Sequence, residues 1–397
     1  MDEKVFEVIV LGLGAVGSAT LYQLSQRGKA VLGLDQFKPP HEFGSSHGDT
    51  RITRIACGEG PEYSVFARRS HAIWRELERK SGRDLLTQNG LLVISGQGQR
   101  STGHGIPEFM QTTIKAAQAA KVPYEMMSGM DARRRFPAFN LRDDDVAYLD
   151  QVSGFVRPEA CIETQLDLAQ ANGAVVHFNE PVLAFEQRDG AVVVKTSRAT
   201  YTARRLVVAA GAWLPGLLSS AYRSPFVVRR QVLYWFRAED GSFDHFRPEN
   251  MPVFIWQLPA PQGIYGFPAV RGPEEGIKVA TAQYVEATTP QSVDRTVSAE
   301  EIATMYETYI APFLPSLKRT PVKTKVCLYT CVDNARFIID RHPEHNRIIV
   351  ASPCSGHGFK HSAGVGDALA QMALGETEVR LNGAPVDMAP FAFRQTV

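Results

Sequence analysis

The chain has 397 residues, 44 % hydrophobic and 21 % charged, with 43 Lys+Arg against 42 Asp+Glu. Domains usually hold about 100–200 residues, so this length fits two domains or one large one, and the composition excludes a disordered or collagen-like chain. A formal net charge of +1 gives no long-range pull toward nucleic acid or an anionic membrane, and five cysteines are too few for a disulfide framework.

The elements in chain order begin with a strand over Val5 to Leu11, followed at once by Gly12-Leu13-Gly14-Ala15-Val16-Gly17. Small and apolar residues then recur at helical spacing from Ala15 to Arg27, and Gly28 ends that helix. Ala30 to Leu34 is a second strand, closed by Asp35. This is the strand–turn–helix–strand setting that gives a G-x-G-x-x-G its meaning. The first two glycines allow a tight turn and the close approach of a pyrophosphate, and the third lets helix and strand pack. The helix N-terminus offers N–H groups to phosphates. Asp35 lies 18 residues past Gly17, where a carboxylate can accept from ribose hydroxyls and would repel a 2′-phosphate. NAD and FAD remain. The apolar stretch Val8 to Ala19 runs into a helix pattern rather than a cleavage site, and Gln395-Thr396-Val397 is no peroxisomal address, so a cytoplasmic location is expected.

Further helices are predicted over Glu62–Lys80, Pro107–Ala120, Glu159–Ala171, Ala299–Ala311 and Ser362–Leu374. Arg188-Asp189-Gly190 marks a hairpin between apolar runs, and Leu206 to Gly211 reads as a short buried strand ending in glycine. Strand-like runs broken by Pro and Gly fill 226–280, and strands are expected near 322–330, 336–339 and 347–351. No repeat appears. His342-Pro343-Glu344-His345 has the look of a ligand pair, but with no third ligand evident it reads as a structural turn, and no metal is expected.

Four blocks carry a resemblance to the monomeric sarcosine oxidase and N-methyltryptophan oxidase family of flavoproteins. They are the N-terminal glycine motif; Gly44-Ser45-Ser46-His47-Gly48-Asp49-Thr50-Arg51-Ile52-Thr53-Arg54 with Gly58-Glu59-Gly60; Ile264-Tyr265-Gly266-Phe267-Pro268 with Lys278; and Cys327-Leu328-Tyr329-Thr330 with Phe337 to His345 and Ser355-Gly356-His357-Gly358-Phe359-Lys360. The resemblance implies an α/β (α+β) fold, with a Rossmann-like FAD-binding domain and an interleaved antiparallel-sheet substrate domain, as in D-amino-acid-oxidase-like flavoproteins. Residues 1–85, 150–220 and 321–397 would form the first domain, and 86–149 and 221–320 the second.

The resemblance further implies FAD joined covalently to Cys327 through the flavin 8α position. A thiolate suits attack on such a carbon. Arg51 resembles an arginine lying against the flavin. Arg54 and Lys360 resemble the pair that holds a substrate carboxylate, with Thr50 nearby. Lys278 resembles the lysine at which oxygen is activated, and a nearby cation favours the superoxide that forms. Tyr265 and Tyr329 resemble active-site aromatics. Further cofactor contacts are implied for Ser45, Val182, Gly211, Trp213, Gly356, Gly358 and Phe359. One position departs: the family carries a histidine four residues after the lysine, and here it is Ala282, with Gln283 beside it. Phe254-Ile255-Trp256-Gln257 is expected to put bulk near the substrate side chain. The implied reaction is oxidation of a secondary amino acid, N-methylated or cyclic, with a hydride equivalent passing to FAD and oxygen reduced to hydrogen peroxide. The alternatives are a pipecolate-type oxidase and a dehydrogenase using another acceptor. The expected partners are the amino acid and oxygen, without nucleic acid or membrane, for a monomeric enzyme.

Overall fold

The computed structural model describes residues 5–96, 102–103, 106–223, 225–258 and 263–394; the C-terminal Gln395-Thr396-Val397 read above lies outside them. The alternation of β- and α-period sequence at the N-terminus builds the first sheet. Val5–Leu11 pairs in parallel with Val31–Leu34 on one side and Thr200–Val208 on the other, and Val175–His177 extends the edge. The strand predicted at Leu206 therefore begins at Thr200, because its polar half still has partners. Its first residues pair antiparallel with Ala191–Thr196, and Leu206 to Val208 pair in parallel with His345–Ser352.

Helices Ala15–Gln26, Pro158–Ala171 and Ser362–Leu374 cover this sheet. Each is rich in buried residues, as helices locked between a sheet and other helices must be. Ser64–Ser81 is more one-sided: Phe66, Ala67, Ser70, Ile73, Trp74 and Leu77 are buried at helical spacing, and Gly82 at φ 70° closes it.

The second sheet is mostly antiparallel. In spatial order it runs Ala287–Thr288, Val227–Ala238, Ile277–Thr281, Gly263–Gly266, Val253–Gln257, Leu91–Gly96, Asp145–Asp150 and Tyr124–Ser128, with Leu317–Cys331 also paired to Val227–Ala238. One face of this sheet packs on Phe139, Phe246, Met305 and Leu314. The predicted helix at Ala299–Ala311 starts with a Ser298/Glu301 capping box and is α-helical to Met305, after which Tyr306–Ile310 winds as a wider π turn. A small sheet of Arg51–Thr53, Gly154–Val156 and Leu86–Thr87 also forms. No helix of the described residues is long and apolar enough to cross a membrane.

Candidate active site

A cavity of ≈ 550 Å³ is lined by residues of both large sheets. At one end it meets the N-terminal glycine turn. Gly12 sits at φ +85°, and a Cβ there would lie 2.5 Å from the Ala209 carbonyl oxygen. A Cβ on Gly17 would lie 1.6 Å from the Gly12 oxygen, so Gly17 serves the turn itself and does not line the cavity. A Cβ on Gly14 would meet nothing nearer than Ser46 Oγ at 3.8 Å. Gly14, Ala15 and Val16, at the start of the helix, line the cavity. Asp35 also lines it, and its carboxylate accepts from the Leu13 N–H at 2.7 Å and the Phe37 N–H at 2.8 Å. Burial pushes its pKa up to about 6 against those two bonds. Val182, Gly211 and Trp213 complete this end.

The other end gathers charge. Arg54, 2 % exposed, donates to both carboxylate oxygens of Glu59 at 2.7 and 2.8 Å and to the Ala56 carbonyl at 2.8 Å. Lys360 Nζ donates to the His357 carbonyl at 2.7 Å and to Glu59 at 3.3 Å. Burial lowers the Lys360 pKa to about 8, Glu59 working against the shift and Arg54 with it. Glu59 carried no assigned role in the sequence reading, yet it is the resident anion of this cluster. His357, in the same glycine block, is committed to the protein: its Nε2 pairs with the Ala335 carbonyl at 2.7 Å and its ring stacks on Phe337. Ser45, Gly356, Gly358 and Phe359 line the cavity nearby, as does Arg51, which donates to the carbonyls of Thr50 and Ser45 at 2.8 and 2.7 Å.

Lys278 stands just outside that lining. Its Nζ donates to the carbonyls of Gly48 at 2.7 Å and Thr50 at 2.8 Å and lies 4.7 Å from the Phe267 ring centroid. Burial and the Arg51 charge push its pKa well down. Thr50 is turned to this lysine and does not line the large cavity: its carbonyl accepts from Nζ, with its hydroxyl at 3.4 Å. His47 is 2 % exposed, its ring nitrogens have no hydrogen-bond partner, and burial and Arg51 lower its pKa to about 3, so it is neutral.

Tyr265 and Tyr329 line the cavity with hydroxyls 3.4 Å apart. Cys327 is 1 % exposed and belongs to a packed cluster with both tyrosines, Ala282 and Tyr284. Burial raises its thiol pKa while the Arg51 and Lys278 charges pull it down. Ile255, Trp256 and Gln257 line the cavity, but Phe254 does not. Phe254 packs edge-on against Phe139. At the departure noted above, Ala282 lines the cavity and Gln283 does not. Tyr284, which carried no sequence signal, does.

The turn at His342, Glu344 and His345 has ligand atoms within 4.8 Å of one another. His342 Nδ1 accepts the Glu344 N–H at 3.2 Å.

The family model for FAD-dependent oxidoreductases matches residues 7–372. The chain belongs to that family. A monomeric sarcosine oxidase of Streptomyces avermitilis is 40 % identical over 93 % of this chain and 94 % of its own. An N-methyl-L-tryptophan oxidase of Yersinia pestis is 31 % identical over 98 % of both. Among solved structures, NikD, described as an unusual amino acid oxidase essential for nikkomycin biosynthesis, superposes with TM-score 0.83 at 23 % identity, covering 99 % of this chain and 98 % of that one.

As an FAD-dependent oxidoreductase, the protein has residues that fit its cofactor. The glycine turn is closed to any side chain behind Gly12 and open toward the cavity at Gly14, the first helical turn faces the space a pyrophosphate needs, and Asp35 stands at the end of the second strand. The fold expected from the resemblance, a nucleotide sheet with an antiparallel companion, is the one found.

Proposed function

We propose that this FAD-dependent oxidoreductase oxidises a secondary amino acid, N-methylated or cyclic, and passes the electrons to molecular oxygen to give hydrogen peroxide. The observation that carries the reading is the buried Arg54–Lys360 pair at the cavity, a planar fork and a point charge suited to one carboxylate. Full-length similarity to sarcosine and N-methyltryptophan oxidases supports it. Bound FAD, attached through a thioether from Cys327, supplies the two-electron chemistry.

The chain's own residues do the rest. Arg54 and Lys360 exchange Glu59 for the substrate carboxylate. Tyr265 and Tyr329 orient the carbon to be oxidised. The positive charge of Arg51, Arg54 and Lys360 favours the neutral amine, whose lone pair the reaction needs. Lys278, its Nζ fixed by two carbonyls, offers positive charge to the anion formed from oxygen. We assign residues 1–85, 150–220 and 321–397 to cofactor binding and 86–149 and 221–320 to the substrate side, with Leu317–Cys331, hydrogen-bonded into the second sheet, passing between them. A cytoplasmic monomer is the state we propose; the absence of disulfides among Cys57, Cys161, Cys331 and Cys354 supports a reducing compartment.

Peroxide release across sarcosine, N-methyltryptophan, pipecolate and proline tests the reading. Flavin bleaching without oxygen, but no peroxide in air, would point to another acceptor; no bleaching by any amine overturns the proposal. Acid precipitation tests the attachment: the wild-type pellet should stay yellow and the Cys327→Ser pellet should be colourless.

A further inference from the structure

Ala282, Tyr284, Tyr265 and Tyr329 make one continuous stretch of cavity wall. The Tyr284 and Tyr329 rings lie 6.4 Å apart at 40°. Both press on Gly356, where a Cβ would fall 2.6 Å from the Tyr284 hydroxyl and 2.9 Å from the Tyr329 ring. Gly356 sits at φ +82°, so its backbone can take that position as few residues can.

What sets Tyr284 there is a reciprocal clasp. Gln231, 1 % exposed on the strand Val227–Ala238, donates from Nε2 to the Gln283 carbonyl at 2.7 Å and accepts the Gln283 N–H on Oε1 at 3.0 Å. Gln283 answers by donating its own side-chain amide to the Arg230 carbonyl. Its Oε1 accepts the N–H groups of Val285 and Glu286 at 2.9 and 3.1 Å. Arg229 adds a bond to the Val285 carbonyl. The next residue outward, Val285, is 82 % exposed, so the segment is a thin strap with Tyr284 as its inward face.

A strap pinned on both sides of one residue holds that residue's side chain rigidly, which is what discrimination between similar ligands requires. The wall it completes stands beside Tyr265 and Tyr329 within the cavity that also holds the Arg54–Lys360 pair. A substrate whose carboxylate sits at those cations must direct its nitrogen and the nitrogen's substituent elsewhere along the lining. Ala282 contributes a single methyl to that wall, so the phenol of Tyr284 adds bulk and a polar group beside those of Tyr265 and Tyr329. Burial pushes that phenol well above its ordinary pKa, so it is a neutral donor.

We propose that Tyr284 is the residue that contacts the substrate on its amine side and selects among nitrogen substituents, and that Gln231 and Gln283 are its positioning residues. The inference rests on the function proposed above. Its test compares wild type, Tyr284→Phe, Tyr284→Ala and Gln231→Leu as flavin-loaded enzymes on N-methyl, N-ethyl and ring-closed amino acids, with acetate as a competitor that carries only the carboxylate. Tyr284→Ala should raise kcat/KM for the bulkier nitrogen substituent relative to methyl by about tenfold, the scale of one or two methylenes in an apolar pocket. Tyr284→Phe should raise KM across the panel, and Gln231→Leu should shift the substrate ranking in the same direction as Tyr284→Ala by a smaller factor. Acetate inhibition should stay within about twofold throughout. An unchanged ranking in Tyr284→Ala, with folded and flavin-loaded protein, overturns the inference alone. Failure of wild type to oxidise any member overturns the proposed function and this inference with it.

Discussion

Lys278 and Lys360 are both 3 % exposed and both belong to the active-site region, yet they keep opposite company. Lys360 faces a carboxylate, Glu59, which it shares with Arg54. Lys278 faces two neutral carbonyls, with Arg51 nearby as a like charge. The first arrangement is satisfied at rest and, on the proposed function, accepts the substrate anion by exchange. The second is held in place by hydrogen bonds to uncharged carbonyl oxygens. On the function proposed above, a substrate that arrives already charged and an anion that exists only during turnover call for these two solutions respectively.

The sharpest way to break the comparison is Lys278→Met. Reoxidation by oxygen should slow by about 10²–10³-fold, the scale of losing one preorganised electrostatic group, while anaerobic reduction changes little. Equal slowing of both steps would erase the division of labour. Next is Arg54→Lys, which keeps the charge and loses the fork. Substrate KM should rise by about tenfold to a hundredfold, corresponding to about 1.4–2.8 kcal/mol, with reoxidation unaffected. Glu59→Gln removes the resident anion. Substrate should then bind several-fold more tightly, and unfolding should cost about 3 kcal/mol less, because two buried cations lose their counter-charge. Tighter binding with full stability would mean Glu59 is dispensable to the cluster at rest.

The mildest effect is in pH. The Lys360 pKa is depressed to about 8. The lysine is therefore charged at pH 7 and loses its proton as pH rises through about 8, so KM should rise several-fold across that window and flatten in Lys360→Met. The sign for stability is the reverse. A lysine with a lowered pKa in the folded state favours unfolding below that value, and this penalty fades as pH climbs toward the unfolded pKa.

The N-terminal unit was legible because its signals are local: strand, glycine turn, helix and acid follow one another within Val5 to Asp35, and each constrains the next. The second sheet was less so. Leu91–Gly96 and Asp145–Asp150 pair across fifty residues, and Leu91-Leu92-Val93-Ile94 is buried on both faces, so it shows no alternation to read. The same logic separates the site residues. Arg54 and Lys360 sit in dense motif blocks, whereas Tyr284 owes its place to an amide pair 52 residues apart in sequence. For Thr50 and Phe254 the sequence indicates a place beside the site but not the direction their groups face.

The strand Val227–Ala238 alternates with unusual consequence. Gln231, Leu233 and Trp235 look toward the chemistry: the first grips the Tyr284 strap, the second packs in the Cys327 cluster, and the third lies 5.5 Å under Lys278. Tyr234 and Phe236 look into the opposite core. Because a strand repeats every two residues, one inserted residue ahead of Gln231 would exchange the two faces at once. The Tyr284 strap, the Cys327 cluster and the Lys278 side chain are thus all contacted from a single strand register. A length change in this strand would disturb all three contacts together.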